Sequence, residues 1–184
     1  MPLTMLDPAP ALVVIDLQKG IVSGTVAHVV PSAAALAKAF RGHGLPVVLV
    51  NVTGRALGRT DAGGHGGTGA FPAGWADIID ELEPQPEDHL ITKRRRSAFH
   101  DTGLDTLLRD LGVTQIVLAG VSTSSGVEST ARSGHDYGYH VVLATDAMAD
   151  PDPGSHRHSI ERVFPKLGET ATCAEIIDFL DRRH

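Results

Sequence analysis

Five short runs of mostly apolar residues recur along the chain, and their spacing predicts its architecture. The clearest of them, ALVVI and VVLV, are continuous and rich in β-branched residues. Such runs are typical of strands that are buried on both faces of a sheet. We therefore predict five strands, which span residues 11–15, 46–51, 89–92, 115–120 and 141–145.

Stretches with helical periodicity separate these runs. Apolar residues recur there three or four positions apart, as in the series Ala33, Leu36, Ala37 and Phe40. Two further series of this kind are Leu104, Leu107, Leu108 and Leu111, and Cys173, Ile176, Ile177 and Leu180. With their flanking Pro, Ser, Thr and Gly residues, these stretches predict helices over 31–42, 102–111, 125–135, 153–164 and 172–182.

Strands that alternate with helices form parallel βαβ units, so the pattern predicts a doubly wound α/β sandwich. In such folds ligands bind beyond the carboxyl ends of the strands, where the strand order reverses. Asp16, Lys93 and the segment that begins at Gly120 each come at or just after the end of a predicted strand. We therefore expect these three features to meet at one edge of the sheet.

Length and composition narrow the class of protein. A chain of 184 residues with 42% hydrophobic and 21% charged residues fits one globular domain over residues 1–184. The formal net charge of -6 argues against a nucleic-acid or anionic-membrane partner. A lone cysteine excludes an internal disulfide, and we find no signal peptide and no run of membrane-spanning length. We expect a soluble, cytoplasmic protein.

A glycine-rich segment over residues 54–74 predicts a long irregular loop. Loops of that length inside compact domains usually serve as functional lids or as oligomer contacts. Asn51 ends the strand before it and is a candidate for the pocket. Phe71 and Trp75 at its far end are candidates for a pocket wall, for the core or for a dimer contact.

Three separated motifs carry a resemblance that covers nearly the whole chain. They are VIDLQ at residues 14–18, KRRRSAF at residues 93–99, and GVST followed by VESTA within residues 120–131. Together they resemble the isochorismatase-like hydrolases, a superfamily that includes isochorismatases, nicotinamidases and N-carbamoylsarcosine amidases. The resemblance implies a six-stranded parallel sheet sandwiched by helices in three layers, and a homodimer or larger assembly.

The amidases of this superfamily use an Asp-Lys-Cys triad. The resemblance makes Asp16 the acid/base carboxylate and Lys93 the triad lysine, whereas Gly126 occupies the cysteine position. It also implies a cis peptide bond after Val121, which aims backbone N–H groups at an oxyanion. The predicted substrate-binding residues are Gln18, Asn51, Phe71, Val121, Ser122 and Ser125.

Glycine at position 126 excludes a covalent thioester mechanism there, because it offers no nucleophile. Cys173 fits a packed structural cysteine on the apolar face of the last helix. Ser124 and Ser125 lie beside position 126, and we expect them to cap a helix rather than to attack a substrate. True isochorismatases also lack the cysteine, since their vinyl-ether substrate needs a proton donor and not a nucleophile.

The resulting hypothesis is a hydrolase for a small, carboxylated metabolite, in which Asp16 donates the proton and Lys93 orients it. Burial favours the neutral acid and the Lys93 ammonium favours the ionised one, and the sequence leaves open which effect dominates. A basic cluster suits a carboxylate substrate. Which of Arg94, Arg95 and Arg96 faces the site also stays open.

We predict neither a cofactor nor a metal site, because His65, His156 and His158 fit exposed positions better than metal-ligand positions. Two alternatives to the hydrolase hypothesis stay open. The first is a catalytically inactive protein that binds a small anion or acts as an oligomeric interaction protein. The second is a C–N amidase whose cysteine has been replaced by Gly126.

Overall fold

Six parallel strands form one sheet in the order β3-β2-β1-β4-β5-β6. The structure is a computed structural model, and it describes residues 3–55, 58–61 and 70–183. The strands are β1 (Pro10–Ile15), β2 (Val47–Val52), β3 (His89–Lys93), β4 (Gln115–Val121), β5 (His140–Ala149) and β6 (Glu169–Ala171). The predicted parallel α/β fold is confirmed, and the strand order reverses between β1 and β4.

Helices cover both faces of this sheet. They are α1 (Val30–Gly42), α2 (Leu104–Asp110), α3 (Glu128–Asp136), α4 (Pro153–His158) and α5 (Cys173–Asp181). One apolar cluster joins α1 and α5 to one face, and a second joins α2 and α3 to the other. Within the described ranges, no helix is long and apolar enough to cross a membrane.

The short strand β6 is the element that the apolar pattern did not reveal. It has three residues, of which Glu169 and Thr170 are half-buried, so it contains no apolar run. It pairs with β5 through Ala171, which lies beside Ala144. Only the family resemblance implied a sixth strand.

Helix boundaries differ from the predicted ones in three main places. The helix predicted over 125–135 is a π-helical turn, Thr123–Val127, followed by α3 from Glu128. The helix predicted from residue 102 begins at Leu104 with Gly103 in the cap position, and Leu111 beyond its end is exposed rather than buried. The single helix predicted over 153–164 is α4 followed by a π-helical turn, Ser159–Val163, and a 3-10 turn from Phe164.

Gly120 allows β4 to end directly against β1. Its φ of +115° belongs to the region that favours glycine, and a Cβ on it would lie 2.0 Å from the Ile15 carbonyl oxygen. The register between β4 and β5 shifts at this point, between Leu118 and Gly120. The segment that follows is thereby brought beside the carboxyl end of β1.

Candidate active site

Asp16 and Lys93 form a buried ion pair at the carboxyl ends of the strands. The Lys93 Nζ lies 2.7 Å from Asp16 Oδ2, and the two side chains are 2% and 8% exposed. Asp16 directly follows β1 with a φ of +53°, and its N–H donates to the Val50 carbonyl oxygen. Lys93 ends β3, so its side chain reaches across β2 to meet the carboxylate.

Gly126 lies against this pair, within a π-helical turn that spans Thr123–Val127 and that we call the Gly126 turn. A Cβ at position 126 would lie 3.2 Å from Asp16 Oδ2 and 3.0 Å from the Ile15 side chain. The bare backbone of the turn therefore packs closely on the carboxylate. The peptide bond between Val121 and Ser122 is cis, as the resemblance implied.

The protonation of Asp16 depends on two opposing effects. Burial raises its pKa from the ordinary 3.8 to about 6, although the charge of Lys93 and its hydrogen bond act in the opposite direction. Its second oxygen, Oδ1, is buried and has no hydrogen-bond partner among the described residues. A desolvated oxygen without a donor disfavours the carboxylate, so the pKa stays above its ordinary value despite the ion pair.

Beside these residues is a cavity of about 260 Å³, which we call the hollow. Its lining includes Asp16, Lys93 and the predicted backbone residues Val121, Ser122, Ser125 and Gly126. Ile21, Val52 and Gly54 also line it, although no sequence signal singled them out. Val52 directly follows the predicted second strand and Gly54 begins the predicted glycine-rich loop, and these are the features that could have suggested them.

All three arginines of the KRRR motif line the hollow, which answers the question that the sequence left open. The Arg95 carbonyl accepts a hydrogen bond from Lys93 Nζ at 3.1 Å, and the Arg95 guanidinium donates to the Arg94 carbonyl. The guanidinium groups of Arg94 and Arg96 have no partner among the described residues. Two free cations therefore border the cavity, where they can bind an anion.

Gln18, Asn51 and Phe71 are not among the residues that line the hollow. Gln18 is fully buried, and its amide binds the N–H and the carbonyl of Val52 as well as the Trp75 carbonyl. Asn51 donates to the Ala76 carbonyl at 2.8 Å. The structure thus places both amides between backbone segments: hydrogen bonds occupy the Gln18 amide, whereas the buried Asn51 Oδ1 has no hydrogen-bond partner among the described residues.

Phe71 takes part in an aromatic stack outside the hollow. Its ring lies 3.8 Å from that of Trp75, and the Arg55 guanidinium lies 4.5 Å above it. Trp75 in turn packs on Gly20, where even a Cβ would overlap the indole ring. Most of the loop that precedes Phe71, including His65, lies outside the described residues.

The serines beside position 126 do not act as side-chain caps of the Gly126 turn. The N-cap residue of the turn is Ser122, and the Ser122 side chain makes no capping hydrogen bond. Ser124 instead donates to Asp150 Oδ2 through both its N–H and its hydroxyl. Ser125 lines the hollow. The expectation that both serines cap a helix is therefore not met.

Cys173 is buried in the core at the first turn of α5, and burial raises the pKa of its thiol. The prediction of a packed structural cysteine is confirmed. His158 is exposed, as predicted, whereas His156 is half-buried and hydrogen-bonded to the buried Thr123 hydroxyl at 2.8 Å. In the part of the chain that the structure describes, no cluster of His, Cys, Asp or Glu could hold a metal.

Known proteins are similar to this chain in sequence and in fold. A model of the isochorismatase domain matches residues 10–175. The isochorismatase family protein YwoC of Bacillus subtilis is 41% identical over 174 residues, which cover 91% of this chain and 92% of that protein. Ureidoacrylate amidohydrolase RutB of Stutzerimonas stutzeri is 31% identical over 185 residues, covering 83% of this chain and 74% of RutB.

A solved structure of an isochorismatase family protein from Burkholderia thailandensis superposes with a TM-score of 0.90 at 36% identity. The match covers 96% of this chain and 98% of that one. Sequence, fold and domain model thus agree over almost the whole length. The chain belongs to the isochorismatase family of hydrolases.

Proposed function

We propose that the protein hydrolyses the vinyl-ether bond of a small anionic metabolite by acid–base chemistry at Asp16, without a covalent intermediate. The observation that carries this proposal is the buried Asp16, whose pKa is raised to about 6 beside the bare backbone of Gly126. A carboxyl group with that pKa is a proton donor near neutral pH. A position without a side chain suits a reaction that needs no protein nucleophile.

The first step transfers the Asp16 proton to the terminal carbon of the enol ether. The C=C π electrons form the new C–H bond, and the adjacent carbon becomes an oxocarbenium ion. Asp16 is left as a carboxylate, which the Lys93 ammonium stabilises at 2.7 Å. Lys93 therefore lowers the cost of the charge that appears on Asp16 during this step.

In the second step water adds to the oxocarbenium carbon and its proton returns to the Asp16 carboxylate. The hemiketal then breaks its C–O bond, which releases an alcohol and a ketone. The net reaction consumes one water and regenerates the acid. Because residue 126 is a glycine, no side chain from that residue lies beside the Asp16 carboxylate.

The charge of the hollow supports an anionic substrate. Lys93 pairs with Asp16, whereas Arg94 and Arg96 border the hollow without a partner in the described structure. A substrate carboxylate can accept hydrogen bonds from either guanidinium. The volume of about 260 Å³ lies below the usual range for drug-sized ligands, so we infer a small metabolite.

The test is turnover of isochorismate in D₂O, followed by NMR of the released pyruvate. Protonation of the vinyl carbon predicts one solvent deuterium in the pyruvate methyl group. Asp16→Asn should lower kcat by about 10²–10⁴-fold, because the general acid is lost. Asp136→Asn, which changes an exposed aspartate at the end of α3, is the matched control and should keep wild-type turnover.

Equal turnover by the wild type and Asp16→Asn would overturn the proposal. No turnover by either, together with saturable binding of isochorismate, would favour the inactive anion-binding protein instead.

An amidase is the second candidate, and it is favoured by the similarity to ureidoacrylate amidohydrolase. Against it stands the packing at position 126, where a cysteine Cβ would lie within 3.0–3.4 Å of Ile15, Asp16 and Val121 atoms. We expect Gly126→Cys to leave a panel of small amides and ureides unhydrolysed. Amide hydrolysis by that variant, or by the wild type, would establish the amidase in place of the vinyl-ether hydrolase.

A further inference from the structure

Thr130 of α3 is fully buried, and its hydroxyl joins two backbone segments of the site. It donates to the Gly126 carbonyl oxygen at 2.7 Å. It accepts from the Ala98 N–H at 3.0 Å. The direction of both bonds is fixed, because a backbone N–H can only donate and a carbonyl oxygen can only accept.

The two segments supply different parts of the hollow. Residues 94–98, which we call the arginine loop, contribute the Arg94 and Arg96 cations and end at Ala98. The Gly126 turn contributes the backbone that packs on the Asp16 carboxylate. Thr130 therefore links the cations that border the hollow to the wall beside the proton donor.

A neighbouring contact offers an internal comparison. Ser133 lies one helical turn after Thr130 and accepts a hydrogen bond from the Ser97 hydroxyl at 2.8 Å. It thus joins the same loop to the same helix. Among the described residues, Thr130 is the one α3 side chain that hydrogen-bonds to both the arginine loop and the Gly126 turn.

We propose that Thr130 is a positioning residue, whose hydroxyl sets the separation between the arginine loop and the Gly126 turn. This inference rests on the proposed function, because that separation matters when the arginines bind one end of a substrate and Asp16 protonates the other. A misplacement of about 1 Å between a bound substrate and a catalytic group can cost about 10²-fold in rate. The effect should therefore appear in kcat more than in KM.

The test compares Thr130→Val, Thr130→Ser and Ser133→Ala with isochorismate as substrate. Thr130→Val keeps the size of the side chain and removes the hydroxyl, and should lower kcat by about 10–100-fold with KM within about threefold. Thr130→Ser and Ser133→Ala should keep kcat within about threefold of the wild type. The inference is overturned if Thr130→Val keeps wild-type kcat, or if Thr130→Ser loses as much as Thr130→Val.

A second readout separates this inference from the proposed function. The titration midpoint of the Asp16 carboxyl, followed by ¹³C NMR, should move by more than about half a pH unit in Thr130→Val, because the Gly126 turn packs on that group. It should stay unchanged in Thr130→Ser and Ser133→Ala. A wild type that leaves isochorismate intact defeats the proposed function, whereas an unmoved midpoint in Thr130→Val defeats the role of Thr130.

If Thr130→Val does not fold, Thr130→Ser decides by itself. A role through the hydroxyl predicts wild-type kcat and midpoint in that variant. A role through methyl packing predicts loss of both.

Discussion

At Asp16, burial and an ion pair act in opposite directions on one carboxyl group. The family motif led us to expect the ion pair between Asp16 and Lys93. The ion pair alone does not determine whether the Asp16 carboxyl group is protonated. The residue is 6% exposed, and desolvation at that depth outweighs an ammonium at hydrogen-bonding distance. The chemistry of the site therefore depends on how deeply one strand end is buried.

The pH dependence of turnover follows from this balance. In the proposed mechanism the acid form of Asp16 is the donor, so kcat/KM for isochorismate should be level below a pH of about 6 and fall about tenfold per unit above it. The measurement is a pH–rate profile, with the Asp16→Asn residual rate subtracted at each pH. A rate that rises with pH above 6 would instead identify the carboxylate as the active form.

The raised pKa of Asp16 also affects how the stability of the fold depends on pH. The effect runs in the direction opposite to that of the lowered pKa values that are usual for acidic residues in folded proteins. Because the pKa of Asp16 in the folded protein lies above its ordinary 3.8, folding favours the protonated form. The contribution of Asp16 to the free energy of unfolding is thus full below about pH 4 and is lost as the pH rises through about 6. Chemical denaturation of the wild type across this range, relative to the Asp16→Asn/Lys93→Met double variant, should show the decline.

Gly126 gives a third prediction at this scale. Gly126→Ala should lower the free energy of unfolding by about 1–3 kcal/mol, because the new Cβ is crowded by Ile15 and Asp16 at 3.0 and 3.2 Å. Gly42→Ala is the matched control, since a Cβ on that helical glycine would meet nothing within 4 Å. Urea denaturation measures both. An unchanged midpoint for Gly126→Ala would show that the turn has room for a side chain.

At the scale of elements, α5 begins with a reciprocal cap. The Thr172 hydroxyl accepts from the Glu175 N–H, and the Glu175 carboxylate accepts from the Thr172 N–H. This capping box starts the helix whose Cys173, Ile176 and Leu180 side chains are buried against the sheet. The sequence placed the start of this helix correctly because the signal is local: a threonine followed three residues later by a glutamate.

Thr172→Ala should therefore lower the free energy of unfolding by about 1 kcal/mol. The kcat of the hydrolase should stay unchanged, because α5 contributes no residue to the lining of the hollow. Thr106→Ala, at an exposed position inside α2, controls for the loss of a threonine in a helix. Thermal or urea denaturation gives the comparison. Equal stability of Thr172→Ala and the wild type would contradict a role for the cap.

For the whole molecule, the distribution of charge over the surface says more about the binding of an anion than the net charge does. The chain has a formal net charge of -6, yet four consecutive cations, Lys93 to Arg96, line the hollow. An anionic substrate is repelled by the average surface and attracted at one point. The net charge, which argues against nucleic-acid partners, therefore gave no hint of the positive charge around the hollow. Self-association into a homodimer or larger assembly stays a prediction.

Salt should weaken the attraction between the substrate and the hollow. We expect KM for isochorismate to rise with ionic strength, and Arg96→Gln to raise KM about tenfold and to reduce that salt dependence. Arg157→Gln, at an exposed position of α4, should change neither. Steady-state kinetics between low and moderate salt provide the test. A KM for Arg96→Gln equal to that of the wild type would exclude this arginine from substrate binding.

The sequence by itself determined those features that depend on neighbours in the chain. Continuous apolar runs specified the parallel α/β fold, and the polar residues after them identified Asp16 and Lys93 as candidates. Strand β6 escaped because it is short and half-buried, so its pairing with β5 comes from contacts distant in sequence. Local pattern reports the burial of a segment, and that is why it finds central strands more readily than short edge strands.

Only the tertiary structure decided what each side chain does at the site. Gln18 and Asn51 lie near strand ends as predicted, but both amide atoms of Gln18 and the Nδ2 of Asn51 bind backbone groups of distant segments. Thr130 belongs to the VESTA motif, but no pattern in the sequence gave it a role, since its partners are set by the approach of the arginine loop to α3. Burial and hydrogen-bond partners are properties of the packed chain, so the pKa of Asp16 could not be read from its motif.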